Sequence, residues 1–201
     1  DVDADGSWTA TIEQPRDTSD AKDTRSVSGS GMSVSDFIHI DAGLYTFDFT
    51  HNGDSNFIVN LLNEEGDTKA YLANEIGDYD GSVAEYIDEG YYVVNVNADG
   101  KWTMDFSPVD FDNSTSKTDF SGSGNTATEV FHVSSAGLKT FDLSHTGDSN
   151  FIVHLLNSNG DTVGYLANAI GDYSGSTAEY LSTGDYIMNV QADGDWEISI
   201  E

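Results

Sequence analysis

Five residues with oxygen or ring-nitrogen donors, His51, Asp54, Asn56, Asp78 and Asp99, fall in three short stretches rich in Gly and Asp. The same five types return 94 positions on, as His145, Asp148, Asn150, Asp172 and Asp193. Carboxylate and amide oxygens converging from separate loops are a donor set for calcium, which takes six to eight oxygens. The spacing is neither that of an EF-hand nor that of a calcium-binding nonapeptide repeat. It suits Asx turns better, in which Asp and Asn side chains accept from nearby backbone N–H groups. His51 and His145 could ligate a metal or pass a proton, but a histidine at a strand end more often bonds a neighbouring loop. His39, His132 and His154 do not recur at that spacing. Tyr79 and Tyr173, in the same stretches, could stack on a sugar or on a neighbouring module, or fold over the end of their own sheet. His51, Asp54 and Ser55 crowd one turn, with no nucleophile elbow to make them a catalytic triad. The motifs require no cofactor, calcium being the one they could take, and they predict no enzyme.

Loops that converge need strands to aim them. Tyr45, Phe47 and Phe49 alternate with Thr46, Asp48 and Thr50, and Tyr92, Val94, Val96 and then Trp102, Met104, Phe106 alternate likewise. Period-two alternation predicts half-buried strands, here near 37–40, 44–50, 57–62, 68–74, 82–87, 91–97 and 102–106, and again 94 positions on. The expected fold is all-β: tandem antiparallel β-sandwich modules of jelly-roll or immunoglobulin-like type, with about seven to eight strands each. With alternating strand directions, the stretches 51–56, 75–81 and 98–101 share one end of a module. Those at 41–43, 63–67 and 88–90 share the other. The first set matches between copies and the second drifts.

Residues 37–106 align with 131–200 without a gap, and about 60% of positions are identical. Val2, Ala4-Asp5-Gly6 and Trp8 repeat the frame of Val96, Ala98-Asp99-Gly100 and Trp102. Residues 1–14 therefore read as the terminal strand or strands of a preceding repeat, cut from a longer array or, in a sharper reading, a strand that docks on a neighbouring chain. Residues 15–30 read as a linker, 31–107 as the first sandwich repeat, 108–123 as a second linker and 124–201 as the second repeat. Both linkers run into Ser-Gly-Ser-Gly. Asn113-Ser114-Thr115 is an N-glycosylation acceptor pattern in the second linker.

The 201 residues carry 36 Asp and Glu against 7 Lys and Arg, a net charge of −29, and no Cys. Such a surface repels nucleic acid and anionic lipid, and its natural partners are inorganic cations. Self-repulsion weakens a compact state of that charge, and molar salt, with a Debye length of about 3 Å, screens it. The composition predicts a protein of a halophile. No apolar run has the length of a membrane span.

The run Gly147-Asp148-Ser149-Asn150-Phe151-Ile152-Val153, followed by Leu155-Leu156 and Asn159-Gly160-Asp161, resembles repeats of secreted and surface proteins of haloarchaea. With the Ala136-Gly137 turn it more distantly resembles pre-peptidase C-terminal (PPC) domains, which include the collagen-binding modules of clostridial collagenases. That resemblance implies a non-catalytic jelly-roll accessory domain outside the cell. The expected role is an extracellular structural or adhesive array, a filament or surface-layer component in which neighbouring copies are the partners. The alternatives are an accessory glycan- or protein-binding module of a larger secreted enzyme, and a calcium-dependent β-sandwich domain.

Overall fold

The computed structural model describes residues 5–11 and 17–201. After a three-residue 3-10 turn at Thr18–Asp20, the first module forms β1 (Ser26–Ser30), β2 (Ser33–Val34), β3 (Ile38–Ile40), β4 (Gly43–Asn52), β5 (Asn56–Leu62), β6 (Thr68–Ile76), β7 (Tyr79–Ile87), β8 (Gly90–Asn97) and β9 (Lys101–Pro108). The second repeats them as β10 (Asp119–Ser123), β11 (Thr126–Ala127), β12 (Phe131–Val133), β13 (Gly137–Thr146), β14 (Asn150–Asn157), β15 (Thr162–Ile170), β16 (Tyr173–Leu181), β17 (Gly184–Gln191) and β18 (Asp195–Ile200).

Pairing is nested. β1 pairs with β9, β2 and β3 with β8, β4 with β7 and with β9, and β5 with β6 and with β8, all antiparallel. One long hairpin thus wraps into two facing sheets, ordered β1-β9-β4-β7 and β2-β8-β5-β6. This is a jelly roll rather than an immunoglobulin sandwich. The second module keeps the same orders, β10-β18-β13-β16 and β11-β17-β14-β15. The alternating residues supply the cores. Phe47, Phe49, Phe57, Val59, Leu61, Val94 and Met104 are fully buried in one module, and Phe141, Phe151, Val153, Leu155, Met188 and Ile198 in the other. Each such side chain contributes about 1.5–3 kcal/mol on burial.

The strands β1 and β10 lie in the segments read from sequence as linkers, and their Ser-Gly runs have a packing cause. Trp102 sits opposite Gly29 in the β1–β9 register, and Trp196 opposite Gly122. A Cβ on Gly29 would stand 2.6 Å from the Trp102 ring, so only glycine leaves room for the indole. The ring N–H then donates to the Gly31 carbonyl at 3.2 Å, and that of Trp196 to Gly124 at 3.1 Å. Each module has nine strands in place of seven or eight because these edge strands and the short β2 and β11 join it.

Residues 5–11 form no strand, and Trp8 is 59% exposed where Trp102 and Trp196 are 3% and 2% exposed. Both glycine seats are already filled by the modules' own tryptophans. The rest of the expected terminal strand, 1–4 and 12–14, lies outside the described residues.

A second difference concerns His39 and His132. His39 faces Tyr91 in the β3–β8 pair and His132 faces Asp185 in the β12–β17 pair, so the two histidines are equivalent. The turn from β12 to β13 is one residue longer than that from β3 to β4, and a gapless alignment hides the match.

Candidate functional site

The three matching turns do meet at one end of each module, where His51, Asp78 and Asp99 gather around Gly53. The His51 Nδ1–H donates to the Gly77 carbonyl at 2.7 Å, and the ring lies flat on Phe57, with centroids 4.7 Å apart. Its Nε2 is buried 3.4 Å from the Asp99 carboxylate, outside hydrogen-bonding geometry. Asp99 accepts from the Asp54 backbone N–H at 3.0 Å, and Asp78 from the Gly53 N–H at 3.1 Å. The second copy repeats the clasp. His145 donates to Gly171 at 2.9 Å and stacks on Phe151, Asp148 N–H bonds Asp193 at 2.9 Å, and Gly147 N–H bonds Asp172 at 3.2 Å.

The arrangement is a lock on three turns. For Asp193, backbone N–H bonds from Asp148 first, then Ser149, with His145 nearby, hold the carboxyl below the usual carboxylate range. For Asp99, desolvation pushes upward, but the N–H bonds from Asp54 and Ser55 and the nearby His51 outweigh it, so its carboxyl too is lowered. Asp78 and Asp99 each use a carboxylate oxygen to accept from a backbone N–H. Asp54 and Asp148 enter through their backbone N–H groups, and the side chains of Asp54, Asn56, Asp148 and Asn150 stand exposed. Among the described residues no three His, Asp or Glu side chains converge as a metal site. In this arrangement Asp78, Asp99, Asp172 and Asp193 serve the turns as hydrogen-bond acceptors.

Tyr79 and Tyr173 fold over their own sheets. Their rings lie 5.8 Å from Phe57 and 5.6 Å from Phe151, with the hydroxyls over Gly81 and Gly175. Both are half-buried. Asn113 is exposed and its amide donates to Asp110.

The joint between the modules holds residues that the sequence patterns did not single out. β7 is an edge strand of its sheet, and the second module covers that edge. Asn189 on β17 pairs with Ala84 like a strand, accepting from its N–H and donating to its carbonyl, both at 2.7 Å. The Ser82 N–H donates to the Asn125 carbonyl at 3.0 Å, and the Ala127 N–H to the Ser82 hydroxyl at 2.9 Å. The Asn125 amide reaches back to Glu75 at 2.7 Å and to the Tyr79 hydroxyl at 3.3 Å. Burial pushes the Tyr79 phenol up to about 12, with the Asn125 bond opposing the rise and the charges of Glu75 and Asp80 adding to it. Beneath these bonds Leu44, Ala84, Val130, Leu156 and Ile187 form a core of their own, joined by Val109 and Phe111 from the linker. Leu44 carried the signal: it sits on the outward register of β4 with Thr46 and Asp48, where an apolar residue has no place unless something covers it.

A cleft of about 310 Å³ runs beside the joint, lined by Tyr71, Glu75, Glu85, Asn125, His154 and Asn189. Burial raises the Glu85 carboxyl and lowers the His154 imidazole. Among the described residues, no helix is long and apolar enough to cross a membrane.

No protein-family model matches the chain, and no curated protein matches its sequence significantly. Among solved structures it is similar to the PBSX exported protein XepA, at 9% identity over 88% of this chain and 84% of that one, with a TM-score of 0.29. It is also similar to an f-lectin (fucolectin) from striped bass serum, Morone saxatilis, at 10% identity over 87% and 84%, with a TM-score of 0.27. A conserved protein of unknown function from Pseudomonas aeruginosa follows at 12% identity over 85% and 81%, with a TM-score of 0.23. Scores this low leave the architecture to rest on the strand pairing itself.

Proposed function

We propose that this chain is a stretch of a non-catalytic structural array that works outside the cell in concentrated salt. The observation that carries the reading is the joint. Two jelly rolls are held in one orientation by an apolar core and a ladder of hydrogen bonds, where a tether would leave them free to turn. A fixed joint suits a spacer or filament whose length and direction matter. The net charge of −29 supports a halophile source, with cations condensed on the surface. The resemblance of the Gly147–Val153 run to haloarchaeal surface repeats supports an extracellular setting. Small-angle scattering in molar NaCl tests the reading: a rigid two-module rod is expected, and a profile that fits two freely turning modules overturns it.

A second reading, an accessory binding module, is favoured by the cleft beside the joint. There Tyr71 stands 77% exposed next to the Glu75 and Glu85 carboxyls, and an open aromatic face beside hydrogen-bonding carboxylates suits a glycan. A glycan array probed in molar NaCl, with Tyr71→Ala as control, separates the two. A signal lost in that variant selects the binding module, and no signal leaves the structural array.

A further inference from the structure

The joint within this chain is heterologous. Module one offers the β7 edge with Leu44, and module two offers a face on β11 and β17 with the turn after β14. Each module carries the equivalent of both faces, and among the described residues nothing covers the β7-like edge of module two or the receiving face of module one. We infer that these two faces bind each other between copies of this chain, head to tail, and so extend the array by repeating the internal joint. The inference rests on the structural-array reading and gives it a contact.

The exposure pattern singles out these faces. Leu44, packed under Val109 and Phe111 of the linker as well as the second module, is 4% exposed, and its counterpart Leu138 is 70% exposed. Ala84 is fully buried, and Ala178, in the same place on the edge strand β16, is exposed. On the receiving side Ala127 is half-buried, while its counterpart Val34 is 61% exposed, and next to it Met32 is 76% exposed. Apolar exposures intrinsic to the module occur in both copies, as with Tyr71 and Tyr165 or Ile76 and Ile170. Leu138, Val34 and Met32 are exposed in one copy only, and all three lie where the internal joint has its contacts.

The substitutions between copies are matched across the joint. Inside the chain Glu75 meets Asn125, a polar pair 2.7 Å apart. At the open faces the counterpart of Glu75 is Ala169 and that of Asn125 is Met32, an apolar pair. Both sides changed together from polar to apolar, which keeps the second joint complementary. Other residues of the internal joint recur at the open faces. Asn95 stands where Asn189 does, ready to pair with Ala178. Gly66, at φ +84° with nothing above it, stands where Gly160 lies under Tyr86, ready for Tyr180, which is 69% exposed. A heterologous contact whose two halves sit on different modules does not close on itself in a dimer, and it propagates.

Sedimentation velocity in molar NaCl, where the charge is screened, tests this. The wild-type chain should form a concentration-dependent ladder of oligomers. Leu138→Asp blocks one face and Val34→Asp the other, and both positions are exposed, so the fold is kept and near-ultraviolet circular dichroism verifies it. Each variant alone should sediment as one chain of 21.7 kDa. An equimolar mixture should give a dimer and stop there, since one intact face of each kind remains. Oligomers that persist in both variants, or a mixture with no dimer, overturn the inference. So does a wild-type chain that stays monomeric at all concentrations, and if scattering still shows a rigid rod, the array reading survives that failure.

Discussion

Leu44 and Leu138 occupy the same strand position in two copies of one fold, yet one is buried and the other stands in solvent. Ala84 and Ala178 differ in the same way, and so in smaller degree do Tyr86 and Tyr180. The clasp of His51, Asp78 and Asp99 shows the opposite behaviour: its bonds recur in the second copy within about 0.2 Å, as in 3.1 and 3.2 Å from Gly53 and Gly147, or 3.0 and 2.9 Å from Asp54 and Asp148. A feature that both copies build identically belongs to the module and holds it closed. A feature whose environment differs between copies belongs to the contact between modules. Identity of residue type does not separate the two classes, since Leu44, Ala84, Tyr86 and Asn95 are all repeated in the second copy. Environment does.

The sharpest way to break the comparison is to put a charge on both members of one pair. Ala84→Glu places a carboxylate in the joint with no partner, and an unpaired buried charge costs about 3–5 kcal/mol. Ala178→Glu puts the same group in water and should change monomer stability by less than about 0.5 kcal/mol. Denaturant melts in molar NaCl read both. Equal costs would mean that the joint is not formed in solution. A smaller effect comes from the amide that caps the edge strand. Asn189→Ala strands the Ala84 N–H and carbonyl, and buried unsatisfied groups cost about 1–3 kcal/mol. Asn95→Ala in the monomer strands nothing and should lie near zero. If the two asparagine variants melt alike, the bonds at 2.7 Å contribute no stability.

The strands and the loop clustering were legible because period-two alternation is a local signal. The expected 44–50, 68–74 and 91–97 lie inside β4, β6 and β8, which extend at most two residues beyond them. The Ser-Gly strands were not legible. Their glycines read as linker by composition, and the indole that demands them comes from the far end of the module, joined only when β1 pairs with β9. The equivalence of His39 and His132 was hidden by a single inserted turn residue. The clasp was legible as a cluster but not as a lock, because oxygen donors for a metal and oxygen acceptors for backbone N–H are the same atoms. The direction of those N–H groups decides between them, and only the fold supplies it. The joint left one local trace, Leu44 on a polar register, and its repetition as Leu138 hid the fact that only one of the two is covered.

Tyr79 offers the finest probe of the difference, since the second module supplies the Asn125 amide at its hydroxyl. Burial raises its phenol to about 12 in the folded chain, above the ordinary value of 10.0. A raised folded value means that the neutral phenol is the form the fold prefers. Its contribution to stability is fully present below about pH 10 and is lost as pH rises through about 12. Subtracting the 295 nm absorbance titration of Tyr79→Phe from that of the wild type should leave one step near pH 12. Opening the joint with Ala84→Glu should move that step down towards 10 as solvent reaches the ring edge, because burial is the largest cause of the rise and outweighs the loss of the Asn125 bond, which holds the value down. The downward movement measures how much of the burial comes from the neighbouring module rather than from Phe57 and Gly81 beneath the ring. A step that stays near 12 in Ala84→Glu would assign the burial to the module alone and place Tyr79 with the clasp rather than with the joint.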